Sequence, residues 1–180
     1  EFKVGVRVGS PQVSYRETIK KAGQGSSTFN REQAGKVQFG QCTLAVEPID
    51  NQDGVLFESK ITKKQLPEEF IKAIEQSIND TAPGGVLAGY PLINVKATLL
   101  SAEYKEEDSS EVAYVIAASA AFREACQKAK AQMMEPVMAL EVVTPDEYTG
   151  DVISDINMKR GKVINMSNRQ NKEQVIAEVP

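Results

Sequence analysis

The helix around which the fold can be predicted lies in residues 108–130, DSSEVAYVIAASAAFREACQKAK. Asp108 followed by Glu111 is typical of a capping box, in which an acid accepts backbone N–H bonds and Glu111 reaches back. The basic residues in QKAK suit the negative pole at the other end. The sequence therefore predicts a helix over 110–130, and its many small alanines predict that the helix lies close against a sheet.

The segments before this helix predict strands and one more helix. INVKATLL (93–100), QCTLAVEPI (41–49) and VLFESKI (55–61) alternate apolar and polar residues, as half-buried strands do. The last two predict an antiparallel pair across the turn IDNQDG. FKVGVRV (2–8) predicts a first strand, and proline followed by two acids predicts a helix over 67–79. Residues 20–40, KKAGQGSSTFNREQAGKVQFG, are rich in Gly, Ser, Gln and Lys and predict a loop or hairpin.

A second pattern begins at Glu135, in the order strand, helix, strand, strand. VMALEVV predicts the first strand, TPDE (144–147) a capping box, and Tyr148, Val152 and Ile156 a buried helical stripe that ends before Gly161. KVINM and EQVIAEV predict a hairpin. This order matches the front of a ferredoxin-like β-α-β-β-α-β unit. At about 45 residues the piece is small for a core of its own, which predicts a truncated domain.

These patterns predict an α+β protein with two domains, one over 1–133 and one over 134–180. The second is expected to leave an apolar sheet face uncovered.

Composition argues against several classes of function. The chain has 21 Lys and Arg against 25 Asp and Glu, so RNA contacts must be local. It has no histidine, which removes the usual nucleophile pairs and histidine-bearing zinc sites. PGGVLAGYP (83–91) lacks the lysine and Ser or Thr of a phosphate loop and is interpreted as structural support. Cys42 and Cys126 suit buried free thiols of a cytosolic protein, and no apolar run is long enough for a bilayer.

Five blocks in order resemble the C-terminal part of bacterial translation elongation factor G. They are RVGSPQVSYRETI (7–19), GVLAGYPLINVKATL (85–99), DSSEVAYVIAASAAFREA (108–125), EPVMALEVVTPDEYTGDVISDINMKRG (135–161) and QVIAEVP (174–180). The resemblance implies a mixed-sheet, ribosomal-protein-like βαβ fold for the family's fourth domain, followed by the front of its ferredoxin-like fifth domain.

The resemblance also implies a function. The parent would be a cytoplasmic translational GTPase that drives translocation of tRNA and mRNA, with GTP and Mg in a domain outside this sequence. This chain would hold no cofactor, metal or catalytic residue. Its partners would be the ribosomal decoding region with A-site tRNA and mRNA, the GTPase-associated centre, and the other domains of the parent, with no membrane contact.

The resemblance places ribosome contacts in two tip loops, REQAGKVQFGQ (31–41) and EYKEEDSSE (103–111). Lys105 stands where the family has its outermost histidine, and Gln41 replaces another histidine. We expect the turn 103–108 to lie at an extreme of the molecule beside 34–38. The candidate RNA contacts are Arg31, Lys36, Gln38, Phe39, Gly40, Gln41, Tyr104, Lys105, Glu106, Asp108 and Ser109, with Lys159 and Arg160 as further rRNA candidates.

Each candidate has a simpler interpretation. The acidic turn could be solvated surface in which Lys105 only relieves repulsion between acids. The first loop could be an ordinary hairpin. Lys159 and Arg160 could simply stabilise the negative end of a helix dipole. At the level of function, the alternatives are a paralogue acting in ribosome recycling or ribosome protection, and a free-standing interaction module without GTPase activity. An enzyme acting alone is the least favoured class.

Overall fold

The computed structural model describes residues 9, 12–33, 35–169 and 172–180, so the strand predicted over 2–8 lies outside the described residues. The chain forms two compact units, a larger one of Tyr15–Met134 and a smaller one of Glu1–Ser14 with Glu135–Pro180. Both units combine helices with sheet in their described parts, which confirms the predicted α+β class.

The larger unit consists of a four-stranded sheet covered by two helices, with a two-stranded ladder beside them. Its elements are β1 (Arg16–Ile19), β2 (Gly23–Gln33), β3 (Lys36–Pro48), β4 (Val55–Ser59), α1 (Glu68–Thr81), β5 (Val95–Glu103), α2 (Glu111–Lys128) and β6 (Ala131–Met134). The four-stranded sheet has the order β2-β3-β5-β4, and β1 pairs with β6.

One strand prediction agrees with the structure and another needs correction. The stretch that was expected to be a loop or hairpin is a long antiparallel hairpin, because β2 pairs with β3 from Gly23 opposite Val46 to Gln33 opposite Lys36. β3 and β4 do not form the expected antiparallel pair, since β4 runs parallel to β5 and β5 separates it from β3. Alternation of apolar and polar residues indicates which face of a strand is buried, but it does not indicate which other strand lies next to it in the sheet.

α2 lies directly on β2 and β3, as its alanines predict. Gly25 and Gly40 permit this approach: an added Cβ would lie 2.2 Å from the Ala121 carbonyl oxygen at Gly25 and 2.6 Å from the Ala113 carbonyl carbon at Gly40. The cap differs from the prediction, because the Ser110 side chain accepts the Ala113 N–H and Asp108 does not.

The core of the larger unit lies between the helices and the sheet. Cys42 and Cys126 are free and fully buried in it, as predicted. Burial raises the pKa of each thiol to about 12, so both stay protonated at neutral pH. The other fully buried large side chains of this core include Leu44, Val46, Leu66, Ile74, Ile78, Leu92, Val95, Leu99, Tyr114 and Phe122.

The smaller unit has the predicted order of strand, helix, strand, strand. Its elements are β7 (Met138–Pro145), α3 (Thr149–Met158), β8 (Lys162–Arg169) and β9 (Lys172–Val179), in an antiparallel sheet of order β7-β9-β8. α3 packs on this sheet through Ile156, which forms a core with Val175 and Ala177.

Two details of this unit differ from the sequence prediction. Among the described residues no side chain caps α3, and a 3-10 turn over Asp146–Tyr148 precedes the helix instead. Tyr148 is 53% exposed and so lies outside the core. The helix ends before Gly161, as predicted, and Arg160 adopts φ 62° in the turn that follows α3.

Part of the sheet in the smaller unit is uncovered, as expected. Met138 pairs with Val179, and Leu140 with Ala177, so both point to the face on which α3 packs. Met138 is nevertheless 65% exposed and Leu140 37%. Helix α3 therefore shields only part of this apolar face.

Candidate nucleic-acid interface

The end of the β2–β3 hairpin extends past the neighbouring strand. β3 pairs with β5 only from Gln41, opposite Glu103, back to Pro48, whereas its ladder with β2 continues to Lys36. Gly35 adopts φ 75° in the turn between β2 and β3, a conformation that glycine adopts without strain. The end of the hairpin, between Gln41 and the turn at Gly35, therefore projects from the sheet.

The turn that follows β5 packs against this projecting hairpin. The Phe39 N–H donates to the Asp108 carbonyl oxygen (2.7 Å), and the Ser110 N–H donates to the Phe39 carbonyl oxygen (3.2 Å). Together these two hydrogen bonds form an isolated parallel β-bridge between Phe39 and Ser109. The two predicted tip loops are thus brought side by side, and we call residues 31–41 and 103–110 together the tip.

Hydrogen bonds within the turn fix its shape. The Ser109 hydroxyl accepts the Lys105 N–H (2.9 Å), and the Ser109 N–H donates to the Lys105 carbonyl oxygen (2.9 Å). The buried Tyr114 hydroxyl donates to the Glu103 carbonyl oxygen (2.6 Å). Burial raises the pKa of Tyr114, so the phenol keeps the proton that it donates. The turn is therefore held in shape at both of its ends.

Lys105 lies over an aromatic ring and not against an acid. Its Nζ is 3.9 Å from the centroid of the Phe39 ring. Within the part of the chain that the structure describes, no carboxylate forms an ion pair with it, although Glu103, Glu106 and Glu107 are close in sequence. A cation–π contact of this kind contributes about 0.5–1 kcal/mol at an exposed site. The ring orients the lysine, and the residue as a whole is exposed.

The other candidates on the hairpin fall into two groups. Arg31 and Lys36 are exposed and Gln38 is half-buried, so their side chains are accessible. Phe39 is only 3% exposed and Gly40 is buried under α2, so these two support the tip and do not present a contact surface. Gln41 is half-buried, and its amide donates to the Ser26 hydroxyl (3.2 Å) and the Thr43 hydroxyl (3.4 Å).

The candidates on the turn are more exposed. Tyr104 is 40% exposed, and its ring packs on Phe70 at 5.9 Å between centroids. Glu106 is exposed, whereas Asp108 and Ser109 are half-buried. A cleft of about 510 Å³ separates the turn from the hairpin end and is lined by Gly35, Lys36, Val37, Gln38, Glu107, Asp108, Ser109 and Ser110. The tip therefore combines the oriented Lys105 and the exposed Arg31 and Lys36 with several neighbouring acids.

The last two candidates lie in the smaller unit, at the end of α3. Lys159 pairs with Asp155. Arg160 forms a bidentate pair with Glu135, at 2.8 and 2.9 Å. The hydrogen bond from Arg160 is the main reason why the pKa of Glu135 lies below its ordinary value. Both cations thus have intramolecular partners, as their interpretation at a helix pole suggests.

The sequence analysis missed a buried carboxylate in the larger unit. Glu17 is 0% exposed. It accepts four backbone N–H bonds from the loop PGGVLAGYP, those of Val86 (2.7 Å), Leu87 (2.9 Å), Ala88 (2.7 Å) and Tyr90 (3.1 Å). No local pattern signalled it, because Glu17 lies between the polar residues Arg16 and Thr18 in a segment for which no strand was predicted.

The glycine-rich loop does not fit a nucleotide phosphate. Glu17 already occupies the backbone donors that a phosphate would need, and the loop has no lysine followed by Ser or Thr. Within residues 9, 12–33, 35–169 and 172–180, no three His, Cys, Asp or Glu side chains are grouped to hold a metal ion. No helix in the same ranges is long and apolar enough to cross a membrane.

Comparison with known proteins gives consistent matches over the whole chain. Two family models match, "Elongation factor G, domain IV" over residues 11–130 and "Elongation factor G C-terminus" over 132–180. Elongation factor G of Thermotoga maritima is 46% identical over 182 residues, which cover 100% of this chain and 26% of that protein. Elongation factor G of Thermotoga neapolitana is 45% identical over the same share.

A solved structure agrees with these matches. A crystal structure of a protein from Thermus thermophilus superposes with a TM-score of 0.81 at 39% identity, covering 94% of this chain and 25% of that one. The chain thus spans about a quarter of the length of the relatives that it matches.

Proposed function

Since this chain belongs to the elongation factor G family, we propose that it is the ribosome-contacting part of a factor that moves tRNA and mRNA in a GTP-dependent step. The larger unit acts as the arm that contacts the decoding region, A-site tRNA and mRNA. The smaller unit contacts the GTPase-associated centre. GTP and Mg belong to other domains of the whole protein, which works in the cytoplasm.

The tip is the observation that supports this proposal most directly. A hairpin that extends beyond its sheet, braced by a neighbouring turn, can enter a narrow site that the body of the unit cannot. Lys105, Lys36 and Arg31 supply cations for phosphate contacts, which position a protein on RNA without reading its sequence. The surrounding acids disfavour indiscriminate RNA binding, so the contact depends on these few residues.

We also propose that the two compact units are separate domains, with the boundary near residues 133–134. The two family models divide the chain in the same region, at 130 and 132. In the described residues, each unit also has its own buried cluster of apolar side chains.

Lys105→Ala in a full-length factor that carries this chain tests the role of the tip. We expect tRNA movement to slow by less than tenfold, which is under about 1.4 kcal/mol of transition-state stabilisation. An exposed lysine makes one flexible phosphate contact and lacks the planar fork of arginine. Ribosome-stimulated GTP hydrolysis should stay nearly unchanged. The matched control is Lys63→Ala, which removes an exposed lysine that already pairs with Glu68 (2.5 Å).

Equal slowing of hydrolysis and movement would contradict this role, because it would mean that ribosome binding as a whole is impaired. No effect on either step would mean that Lys105 is only a charge on the surface and has no role in tRNA movement. Normal ribosome splitting or antibiotic removal without translocation activity would instead favour the recycling or protection paralogue, and the absence of all three activities would favour a free-standing interaction module.

A further inference from the structure

A second group of cations lies at the opposite end of the larger unit from the tip. α2 begins at the tip, next to Ser110, and ends at Lys128. Its 18 residues span about 27 Å at 1.5 Å per residue. Three exposed lysines gather just past that end, Lys20 and Lys21 from the chain after β1 and Lys130 from the chain after α2. We call these three residues the basal lysines.

Backbone hydrogen bonds hold the basal lysines together although their positions are far apart in sequence. The Lys20 N–H donates to the Ala129 carbonyl oxygen (3.1 Å) and to the Lys130 carbonyl oxygen (3.3 Å). The Lys21 N–H donates to the Ala129 carbonyl oxygen (3.2 Å). The backbones of the three lysines therefore lie within one small area of the fold.

The charge of the basal lysines is not balanced by acids among the described residues. Within that part of the chain, none of the three forms an ion pair with a carboxylate, whereas nearby Lys128 pairs with Glu124 at 2.7 Å. In a chain of net charge −4, such a group of three cations is a local exception. Repulsion among them opposes folding slightly, and a bound anion would relieve it.

The backbone at Lys130 adds an independent observation. Lys130 adopts φ 58° directly after the C-cap Ala129, a position where glycine is preferred because a side chain is strained there. Arg160 has the same conformation after α3, but its side chain pairs with Glu135 inside the molecule. Lys130 has no such partner in the described residues, and Lys128 already provides a cation for the end of α2.

We propose that the basal lysines bind the phosphate backbone of RNA, as a second RNA contact about one helix length from the tip. Clustered lysines are typical of phosphate contacts, whereas lysine is depleted at protein–protein interfaces. The contact reads no base sequence. It goes beyond the proposed role of the tip, and it can be tested without the ribosome.

The test is binding of this chain to a fluorescently labelled 20-base-pair RNA duplex, measured by anisotropy between 25 and 200 mM KCl. The variant combines Lys20→Gln, Lys21→Gln and Lys130→Gly. Loss of three phosphate contacts should weaken binding about tenfold at 50 mM KCl and reduce the slope of log K against log[KCl] by about 2–3. The control combines Lys63→Gln, Lys64→Gln and Lys72→Gln, which changes the net charge equally at sites on and before α1.

Lys130→Gly alone separates binding from folding. It should reduce the salt slope by about 1 and raise the melting temperature by about 2–4 °C, because glycine relieves the strained backbone. Equal weakening by the control triple variant would show a net-charge effect and overturn the proposal. Unchanged RNA binding by the basal triple variant would also overturn the proposal. So would a basal triple variant that binds poly-glutamate more weakly but binds RNA as before, because the basal lysines would then bind an acidic peptide. The tip variants Lys36→Ala and Lys105→Ala should leave the effect of the basal variants unchanged.

Discussion

Glu17 is a carboxylate with no exposed surface inside the larger unit. It ties β1 to the loop PGGVLAGYP through four backbone N–H bonds. Gly85 makes room for it, because an added Cβ would lie 2.6 Å from the Glu17 Oε1 atom. The loop is therefore the structural support that the sequence indicated, and a charged residue 69–73 positions away holds it in place.

We expect Glu17→Gln to destabilise the larger unit by about 3 kcal/mol. The amide has one acceptor oxygen, so its NH₂ group would face backbone donors that lose their partner, and such unsatisfied buried groups cost about 1–3 kcal/mol each. Urea unfolding at pH 7 measures the loss. Glu75→Gln on the exposed side of α1 is the control. An equal effect of the two variants would show that the four hydrogen bonds contribute nothing specific.

The same residue predicts a pH dependence. Burial alone raises the pKa of Glu17, but the four N–H donors together outweigh burial, so the pKa in the folded state lies below its ordinary value of 4.5. The unfolded chain then binds the proton more tightly than the folded one. The contribution of Glu17 to stability is therefore complete above about pH 4.5 and is lost as pH falls towards the folded pKa. In Glu17→Gln, unfolding should depend less on pH below about pH 4.5, and an unchanged pH profile would contradict this.

At the scale of the elements, the approach of α2 to the sheet decides the packing of the larger unit. Alanines line the helix face that meets the sheet, and glycines stand opposite them on β2 and β3. With small residues on both sides, helix and strand backbones come into direct contact. Neither side tolerates a larger side chain, because the interior is close-packed.

Gly25→Ala should therefore cost about 3 kcal/mol, since its Cβ would lie 2.2 Å from the Ala121 carbonyl oxygen and 2.6 Å from the Ala125 nitrogen. Backbone atoms cannot turn aside as a flexible side chain can, so α2 would have to shift. Thermal unfolding followed by circular dichroism measures the loss. Gly84→Ala is the matched control, because an added Cβ there meets nothing within 4 Å. A Gly25→Ala protein as stable as Gly84→Ala would refute the direct contact.

For the molecule as a whole, the two compact units predict separate folding behaviour. Their buried clusters do not share a residue among those described, and the cluster of the smaller unit is built on Ile156, Val175 and Ala177. With so few fully buried side chains, we expect this unit to be the less stable of the two.

Ile156→Ala should unfold the smaller unit preferentially, because it removes a core side chain worth about 2–5 kcal/mol. Hydrogen exchange should then be faster in residues 138–158 and 162–168, with no change in 36–48. The reciprocal control is Leu44→Ala in β3, which should affect the larger unit. Faster exchange throughout the chain in Ile156→Ala would mean that both units unfold together.

Much of this fold could be inferred from the sequence alone. The two helices of the larger unit were predicted to within about two residues at each end, and the order of strand, helix, strand, strand in the smaller unit was also predicted. Helical and strand periodicities are local properties, because they depend on which side chains a short segment turns towards the core. The five blocks of resemblance added the family, which the comparisons confirm. They also added the proximity of the two loops of the tip, which the hydrogen bonds of Phe39 show.

Other features required the three-dimensional structure. The parallel neighbour of β4, the Glu17 carboxylate inside the glycine-rich loop, the ring of Phe39 beneath Lys105 and the gathering of the basal lysines each join groups that are distant in sequence. A residue type shows what a side chain can donate, accept or bury, but its partner depends on which distant segment the folded chain brings within a few ångströms. The packing of whole helices and strands determines which distant segments meet, so no local sequence pattern predicts these contacts.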